Sequence, residues 1–200
     1  MKGIERVEDC LTLSDLLRFH ARRQPEKDLL YDGISGVTYS YGEMDALVDK
    51  AVEYLYQNGA SRGDIISIII NNRAEYLILF FATLRIGAVF NPFPFNLGNQ
   101  NINKYLSYVE PTLVFCQNKH FDSLMQNDWP VHLIEDGNRG FIEHVRQLSI
   151  GNKEDFSPTG DEVACLHYSS GTTANPKGIL YSHRESLGFP REMLRTLRES

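Results

Sequence analysis

The chain has 200 residues, 42% of them hydrophobic, and a formal net charge of −6. This size and apolar content suffice for a buried core, whereas the acidic balance excludes the clustered Lys/Arg surface that binds nucleic acid. No apolar run approaches the ~18 residues that cross a bilayer, and the N-terminal residues are too acidic for a signal peptide. We therefore expect a cytoplasmic globular protein with no nucleic-acid partner and no membrane span.

The first elements predicted along the chain are two capped helices and a hairpin. Thr12 is followed three residues later by Asp15 and then by apolar residues at helical spacing, which predicts a capped helix. Two strand-like runs within 29–39 flank a turn and predict a hairpin. Ser40 and Glu43 repeat the capping pattern at the start of a second, longer helix.

The middle of the chain alternates strands with helices. Ile65–Ile70 is apolar on both faces, as in a central parallel strand that is covered by helices on each side. Residues 71–73 are expected to cap a helix over 74–85, which leads into a strand at 88–90. A further helix is predicted over 102–109.

Shorter elements follow this β-α-β unit. The proline-rich residues 91–95 favour a turn, because proline removes a hydrogen-bond donor from an interior strand. Strands are predicted at 113–116 and 131–134, and short helices at 121–125 and 141–148.

Alternating strands and helices predict an α/β fold, a three-layer α/β/α sandwich on a mainly parallel sheet. Residues 151–160 have no hydrophobic period and much turn chemistry, which indicates a linker. We therefore expect an N-terminal α/β subdomain over 1–150, and over 161–200 two more strands and the truncated start of another subdomain.

Residues 168–178 have the sequence Tyr-Ser-Ser-Gly-Thr-Thr-Ala-Asn-Pro-Lys-Gly, which is unlike a core segment. Hydroxyls and backbone N–H groups beside one cation can hold a polyphosphate. Gly171 and Gly178 are expected to adopt φ > 0 and to bring the backbone close to the ligand. The candidate phosphate-binding residues are Ser169, Ser170, Gly171, Thr172, Thr173, Lys177 and Gly178.

The P-loop of nucleotide triphosphatases has a similar spacing but does not fit. Lys177 lies six residues after Gly171, as that motif requires. Pro176 stands where the motif needs a second glycine, and Gly178 stands where it needs a metal-binding hydroxyl. Strands are predicted on both sides of the loop, at 163–168 and 178–181. The loop thus connects two strands, whereas a P-loop opens a helix.

The same residues resemble the phosphate-binding signature of the adenylate-forming superfamily: acyl-CoA synthetases, nonribosomal-peptide adenylation domains and luciferases. That signature runs aromatic, Ser/Thr, Ser, Gly, Ser/Thr, Ser/Thr, Gly, any residue, Pro, Lys, Gly, and this chain departs from it at Ala174. Segments at 38–44, 63–65 and 72–89 are also similar to the family pattern. The resemblance covers roughly residues 10–184 and implies an incomplete N-terminal domain of an adenylate-forming enzyme.

The resemblance implies a reaction in which a small-molecule carboxylate attacks ATP, giving an acyl-adenylate and pyrophosphate, before the acyl group passes to a thiol such as CoA. The loop would hold the β- and γ-phosphates, with Mg²⁺ on the same oxygens, and Lys177 would stabilise charge on the leaving pyrophosphate. No catalytic residue and no metal ligand is expected in this portion. Asp161 and Glu162, the nearest carboxylates before the loop, are expected to be solvated.

By this resemblance the chain is an N-terminal portion of an AMP-forming acid–thiol ligase, of the acyl-CoA synthetase type used in fatty acid metabolism, and inactive alone. The alternative is a non-catalytic nucleotide-binding or interaction module that retains the loop. The acyl substrate and the thiol acceptor stay open. His183 and the apolar residues at 93–95 and 129 are expected to pack in the core rather than to contact substrate.

The cysteines favour neither a disulfide framework nor a zinc site. Cys10, Cys116 and Cys165 are odd in number, far apart and in no C-x-x-C pair. We expect them to be buried thiols.

Overall fold

The computed structural model describes residues 4–135, 140–151, 159–169 and 177–188, in which strands and helices alternate as the sequence predicts. Residues 183–188 are also helical. The strands are β1 Asp28–Asp32, β2 Val37–Ser40, β3 Ile65–Ile69, β4 Val89–Pro92, β5 Leu113–Cys116, β6 Val131–Leu133, β7 Val163–Ser169 and β8 Lys177–Ser182. The helices are α1 Leu13–Arg23, α2 Tyr41–Gln57, α3 Ala74–Arg85, α4 Asn99–Val109, α5 Asn118–Leu124 and α6 Phe141–Gln147.

Both predicted capping boxes are present. The Asp15 amide donates to the Thr12 hydroxyl, and the Asp15 carboxylate accepts from the Thr12 amide, each at 2.9 Å. Ser40 and Glu43 exchange the same pair of bonds at the start of α2. These side chains satisfy backbone donors that the first turn of a helix leaves without a partner, so they fix where α1 and α2 begin.

The prediction of a mainly parallel sheet is confirmed. Six strands lie in the order β6-β5-β3-β4-β7-β8, and every neighbouring pair is parallel except β7 with β8. β1 and β2 form a separate antiparallel hairpin. β3 lies inside the sheet between β5 and β4, as its apolar run predicts.

Two apolar layers cover the two faces of the sheet. Ile66 and Ile68 of β3 pack in one cluster with residues of α2, α3 and α6, whereas Ile69 packs in a second cluster with residues of α4 and α5. Successive side chains of a strand point to opposite faces, which explains this division. The three-layer α/β/α prediction is thereby confirmed.

Three helices on one face are joined by a buried ionic network. The Arg85 guanidinium, 5% exposed, pairs with Asp45 at 2.6 Å and with Asp49 at 2.7 Å. Arg18 pairs with Asp49 at 2.8 Å, and the Ser14 hydroxyl accepts from Arg85 at 2.9 Å. The network satisfies each charge and links α1, α2 and α3, although burying such charges also costs desolvation energy.

Two local predictions are wrong. β4 continues to Pro92 within the sheet, although residues 91–95 were expected to form a turn. The backbone amides of Val89 and Phe93 donate to the carbonyls of Asp64 and Ile68, on the β3 side of the strand. Backbone N–H groups alternate in direction along a strand, so the position of the missing N–H of Pro92 faces β7. β4 pairs with β7 at Phe90, before Pro92, and no bond is therefore lost.

The second error concerns residues 71–73, which were expected to cap α3. The N-cap residue is Arg73, and it makes no side-chain capping bond. Its guanidinium instead pairs with Glu75 at 2.7 Å and with Glu135 at 2.8 Å. The Arg73 side chain is therefore held by Glu75 within α3 and by Glu135 after β6, and it does not bond the amides of the first turn.

The cysteines behave as predicted. Cys10, Cys116 and Cys165 are free and buried. Burial raises the pKa of the Cys116 thiol to about 12 and that of Cys165 to about 11, so both stay protonated. Among the described residues, none of the helices has the length and apolar character needed to cross a membrane.

The predicted linker is described only at its ends. Residues 152–158 lie outside the described residues, as do residues 189–200. β7 follows the linker and joins the same sheet as β4. The subdomain boundary at 151–160 stays a prediction.

β8 forms an edge of the sheet and exposes apolar side chains. Ile179, Leu180 and Tyr181 are 42%, 59% and 40% exposed. Open, apolar edges favour pairing between chains.

We therefore expect the isolated 200-residue chain to self-associate. The substitution Leu180→Lys should raise the monomer fraction measured by sedimentation velocity, because charge on an edge strand disfavours such pairing. The control substitution Ile34→Lys, at an equally exposed residue in a turn outside this sheet, should leave the monomer fraction unchanged. A parent chain that is already monomeric would contradict the prediction.

A second prediction concerns His183, which follows β8 and is 1% exposed, with no hydrogen-bond partner for either ring nitrogen among the described residues. Burial lowers its pKa from the ordinary 6.5, although Glu162 and Asp15 oppose that shift. Below about pH 6.5 the unfolded chain therefore binds a proton at His183 more readily than the folded chain does. The free energy of unfolding then falls by up to ~1.4 kcal/mol for each pH unit.

His183→Leu should remove this part of the pH dependence. Urea denaturation of the Leu180→Lys chain, with and without His183→Leu, should show stability curves that diverge as the pH falls below about 6.5. Parallel curves between about pH 7.5 and pH 5.5 would show that His183 titrates alike in the folded and unfolded chains.

Candidate functional site

The chain changes direction across the sheet after β4. α3 joins β3 to its neighbour β4 on one face, and α4 carries the chain back across β3 to β5 on the other face. The segments that leave the carboxyl ends of β3 and β4 therefore diverge to opposite faces. In open parallel sheets such a point leaves a crevice, and ligands bind there.

A cavity of about 600 Å³ occupies this crevice. Its described lining contains no Asp, Glu, Lys or Arg, and desolvation lowers the pKa of the lining residue His167. Such a lining suits an apolar or aromatic group better than a phosphate. The lining residues are Ile70, Asn71, Asn72, Tyr76, Pro92, Phe93, Pro94, Phe95, Leu97, Tyr105, His167 and Tyr168.

One wall of the cavity is held by a polar network that the sequence analysis missed. The backbone amide of Asn71 donates to Gln117 Oε1 at 2.6 Å, and Gln117 Nε2 donates to Glu135 Oε1 at 2.6 Å. Arg73 completes the network through its pair with Glu135. These residues follow β3, β5 and β6, and a shared position at strand ends is the only sequence signal that could have linked them.

The helix α5 holds another part of the lining, at Phe95. His120, 1% exposed, donates from Nε2 to the Phe95 carbonyl at 2.8 Å. Burial lowers the pKa of His120, although its bond to the Phe95 carbonyl opposes that shift. Lys119 Nζ lies 4.6 Å from the centre of the Phe95 ring. Phe93 packs in the second core cluster, as the sequence analysis expected, and it also lines the cavity together with Phe95.

The hairpin of β7 and β8 carries the predicted phosphate loop. Tyr168 pairs with Gly178 and Ser169 with Lys177, antiparallel, so the prediction of a strand–loop–strand connection is confirmed. Ser169 is the last residue of β7, and Lys177, which is exposed, is the first of β8. The remaining candidates, Ser170, Gly171, Thr172 and Thr173, lie outside the described residues, as does Ala174.

The predicted positive φ at Gly178 is wrong. Gly178 lies in the extended strand β8 and is not among the described glycines with positive φ. A Cβ there would lie 2.9 Å from Leu166 Cδ1 of the paired strand. The end of the Leu166 side chain therefore occupies the space of a Cβ at this position, and backbone conformation does not require glycine here.

The carboxylates before the loop are held in ion pairs. Asp161 is exposed and accepts from Arg184 Nε at 2.9 Å. Glu162, expected to be solvated, is partly buried, and it pairs with Arg62 at 2.7 Å and accepts from Thr159. Within the described ranges, His, Cys, Asp and Glu form no group of three or more that could hold a metal.

Comparisons with known proteins agree with this fold. A family model described as AMP-binding enzyme matches residues 17–196. The chain is 30% identical over 169 residues to 4-coumarate–CoA ligase 3 of Arabidopsis thaliana, which covers 80% of this chain and 30% of the relative. It is 24% identical to the long-chain-fatty-acid–CoA ligase FadD13 of Mycobacterium tuberculosis, over 84% of this chain and 34% of the relative.

Solved structures share the architecture. VinN in complex with 3-methylaspartate superposes with a TM-score of 0.79 at 25% identity, over 92% of this chain and 50% of that one. The N-terminal domain of FACL13 from Mycobacterium tuberculosis superposes with a TM-score of 0.76 at 23% identity, over 86% of this chain and 44% of that one. The chain spans about a third of the length of the curated relatives it matches. Because the family model covers most of its residues, the chain belongs to the AMP-binding enzyme family.

Proposed function

We propose that the chain is the N-terminal part of an acyl-adenylate-forming ligase. A carboxylate oxygen bonds to the α-phosphorus of ATP, the bond to the β-phosphate bridge breaks, and pyrophosphate leaves. A thiol sulfur then bonds to the acyl carbon, and AMP leaves. The observation that carries the proposal is the β7–β8 hairpin, in which Ser169 pairs with Lys177 beside an uncharged cavity.

The loop is proposed to bind the β- and γ-phosphates. Hydroxyl groups of Ser169, Ser170, Thr172 and Thr173 and backbone N–H groups at Gly171 and Gly178 supply donors. Lys177 adds the positive charge that favours the leaving pyrophosphate. A bound Mg²⁺ would neutralise the same phosphate oxygens, and its protein ligands would lie outside the part of the chain described above.

The names of relatives suggest the wider reaction. Two relatives are named for coumarate and for long-chain fatty acids, and both names include CoA. We therefore propose a small-molecule carboxylate with an apolar acyl group as substrate and CoA as the thiol, which would place the enzyme in fatty acid or aromatic acid metabolism. The cytoplasm is the proposed location, on the composition of the chain.

Lys177→Ala in the full-length protein is expected to slow adenylation by about 10- to 1,000-fold, because the cation stabilises charge on the leaving group. Acyl-dependent exchange of pyrophosphate into ATP measures this step directly. Lys27→Ala, at an exposed lysine before β1, is the matched control. An unchanged exchange rate would remove the phosphate role, and no exchange in the parent protein would favour a non-catalytic module.

Ala174→Gly tests the departure from the family signature. If this position requires φ > 0, alanine costs about 1–2 kcal/mol relative to glycine, and the substitution should tighten ATP binding. Isothermal titration calorimetry gives the dissociation constant for both forms. An equal ATP affinity would mean that alanine fits this backbone without strain.

A further inference from the structure

Three aromatic rings pack together at the end of β7, immediately before the phosphate loop. The Tyr168 ring lies 4.7 Å from Tyr105 of α4 and 5.3 Å from Phe93, with interplanar angles of 12° and 19°. Phe93 and Tyr105 are 5.9 Å apart at 16°. Near-parallel, offset rings at these distances attract each other beyond the burial of their area. The orientation of Tyr168 is thereby fixed by two other elements of the fold.

A buried polar pair lies against the same ring. Asn91 is fully buried, and its Nδ2 donates to Ser67 Oγ at 2.9 Å. Asn91 Oδ1 and the Tyr168 hydroxyl are both buried without a hydrogen-bond partner among the described residues. The Asn91 amide opposes the rise in the pKa of Tyr168 that burial causes, so the two groups are neighbours. The Asn91 amide has a second N–H besides the one that Ser67 accepts, and it lies close enough to the Tyr168 hydroxyl for a hydrogen bond between the two groups.

Tyr168 is connected to both ends of the predicted phosphate loop. It directly precedes Ser169, which pairs with Lys177, and it pairs with Gly178 across the hairpin. A shift of its ring would therefore move both ends of the loop. Phosphate donors act on a transition state only when they are held in place beforehand, and a displacement of about 1 Å can cost on the order of 100-fold in rate.

We propose that Tyr105, Phe93 and Asn91 are positioning residues for the phosphate loop and act through Tyr168. The two rings clamp the Tyr168 side chain, and the Asn91 amide lies beside its hydroxyl. This inference rests on the proposed function, because it assumes that the loop holds ATP. None of the three residues touches phosphate; they set where Ser169 and Lys177 lie.

The test uses the full-length protein, with calorimetric ATP affinity and pyrophosphate exchange as readouts. Tyr105→Leu keeps apolar volume but loses the stacked ring, and it should weaken ATP binding about tenfold or more. Tyr105→Phe keeps the ring and should recover most of the lost affinity. Tyr108→Leu makes the same change on α4 at a residue that is 58% exposed, and it should match the parent protein.

Several outcomes would overturn the inference. One is an unchanged ATP affinity in Tyr105→Leu, and another is an equal loss of ATP affinity in Tyr105→Leu and Tyr105→Phe. A third is a rise in the KM for the carboxylate with no change in ATP affinity. The last would mean that Tyr105 contacts the acyl substrate from the cavity wall. If Tyr105→Leu melts at a lower temperature than Tyr108→Leu, Phe93→Leu takes its place with the same expectation.

Lys177→Ala separates this inference from the proposed function. If that substitution leaves ATP affinity and exchange unchanged, the loop does not bind phosphate and both proposals fall. If it impairs them while Tyr105→Leu does not, the loop binds phosphate without the aromatic clamp, and only the positioning role is wrong.

Discussion

The burial of β3 on both faces is the constraint on which the rest of the structure depends. Ile68 and Ile69 enter different apolar layers, so helices are required on both sides of the sheet. The polar side chain in this strand, Ser67, is fully buried and accepts a hydrogen bond from Asn91 of β4. A central strand of this kind determines where the neighbouring strands begin and end.

Covering both faces also creates the site. Connections in opposite directions across the sheet place α3 and α4 on opposite faces, because crossovers between parallel strands have one hand. The strand ends between them remain uncovered, and the cavity forms there. The hairpin that carries the predicted phosphate loop lies beside this opening, since β7 pairs with β4. The cavity and the end of β7 are therefore neighbours as a result of strand order.

The site combines residues with two different tasks. Polar groups around Gln117 and His120 hold the segments that line the cavity, and aromatic rings around Tyr168 hold the entrance to the loop. Neither set resembles a catalytic motif in sequence. Rings such as Tyr105 have helical spacing that favours an ordinary packing role, and its contact with Tyr168 joins residues that are far apart in the chain.

The sequence by itself determined the order and type of the elements, both capping boxes, the buried thiols and the strand–loop–strand form of the phosphate segment. These depend on local backbone hydrogen bonds and on the period of apolar residues, which neighbouring positions specify. Only the tertiary structure decided that Pro92 ends an interior strand, that Gly178 gives clearance to Leu166, and that Arg73 is held by Glu135. Each of these depends on which strands become neighbours, and strand order is a property of the packed sheet that local spacing does not contain.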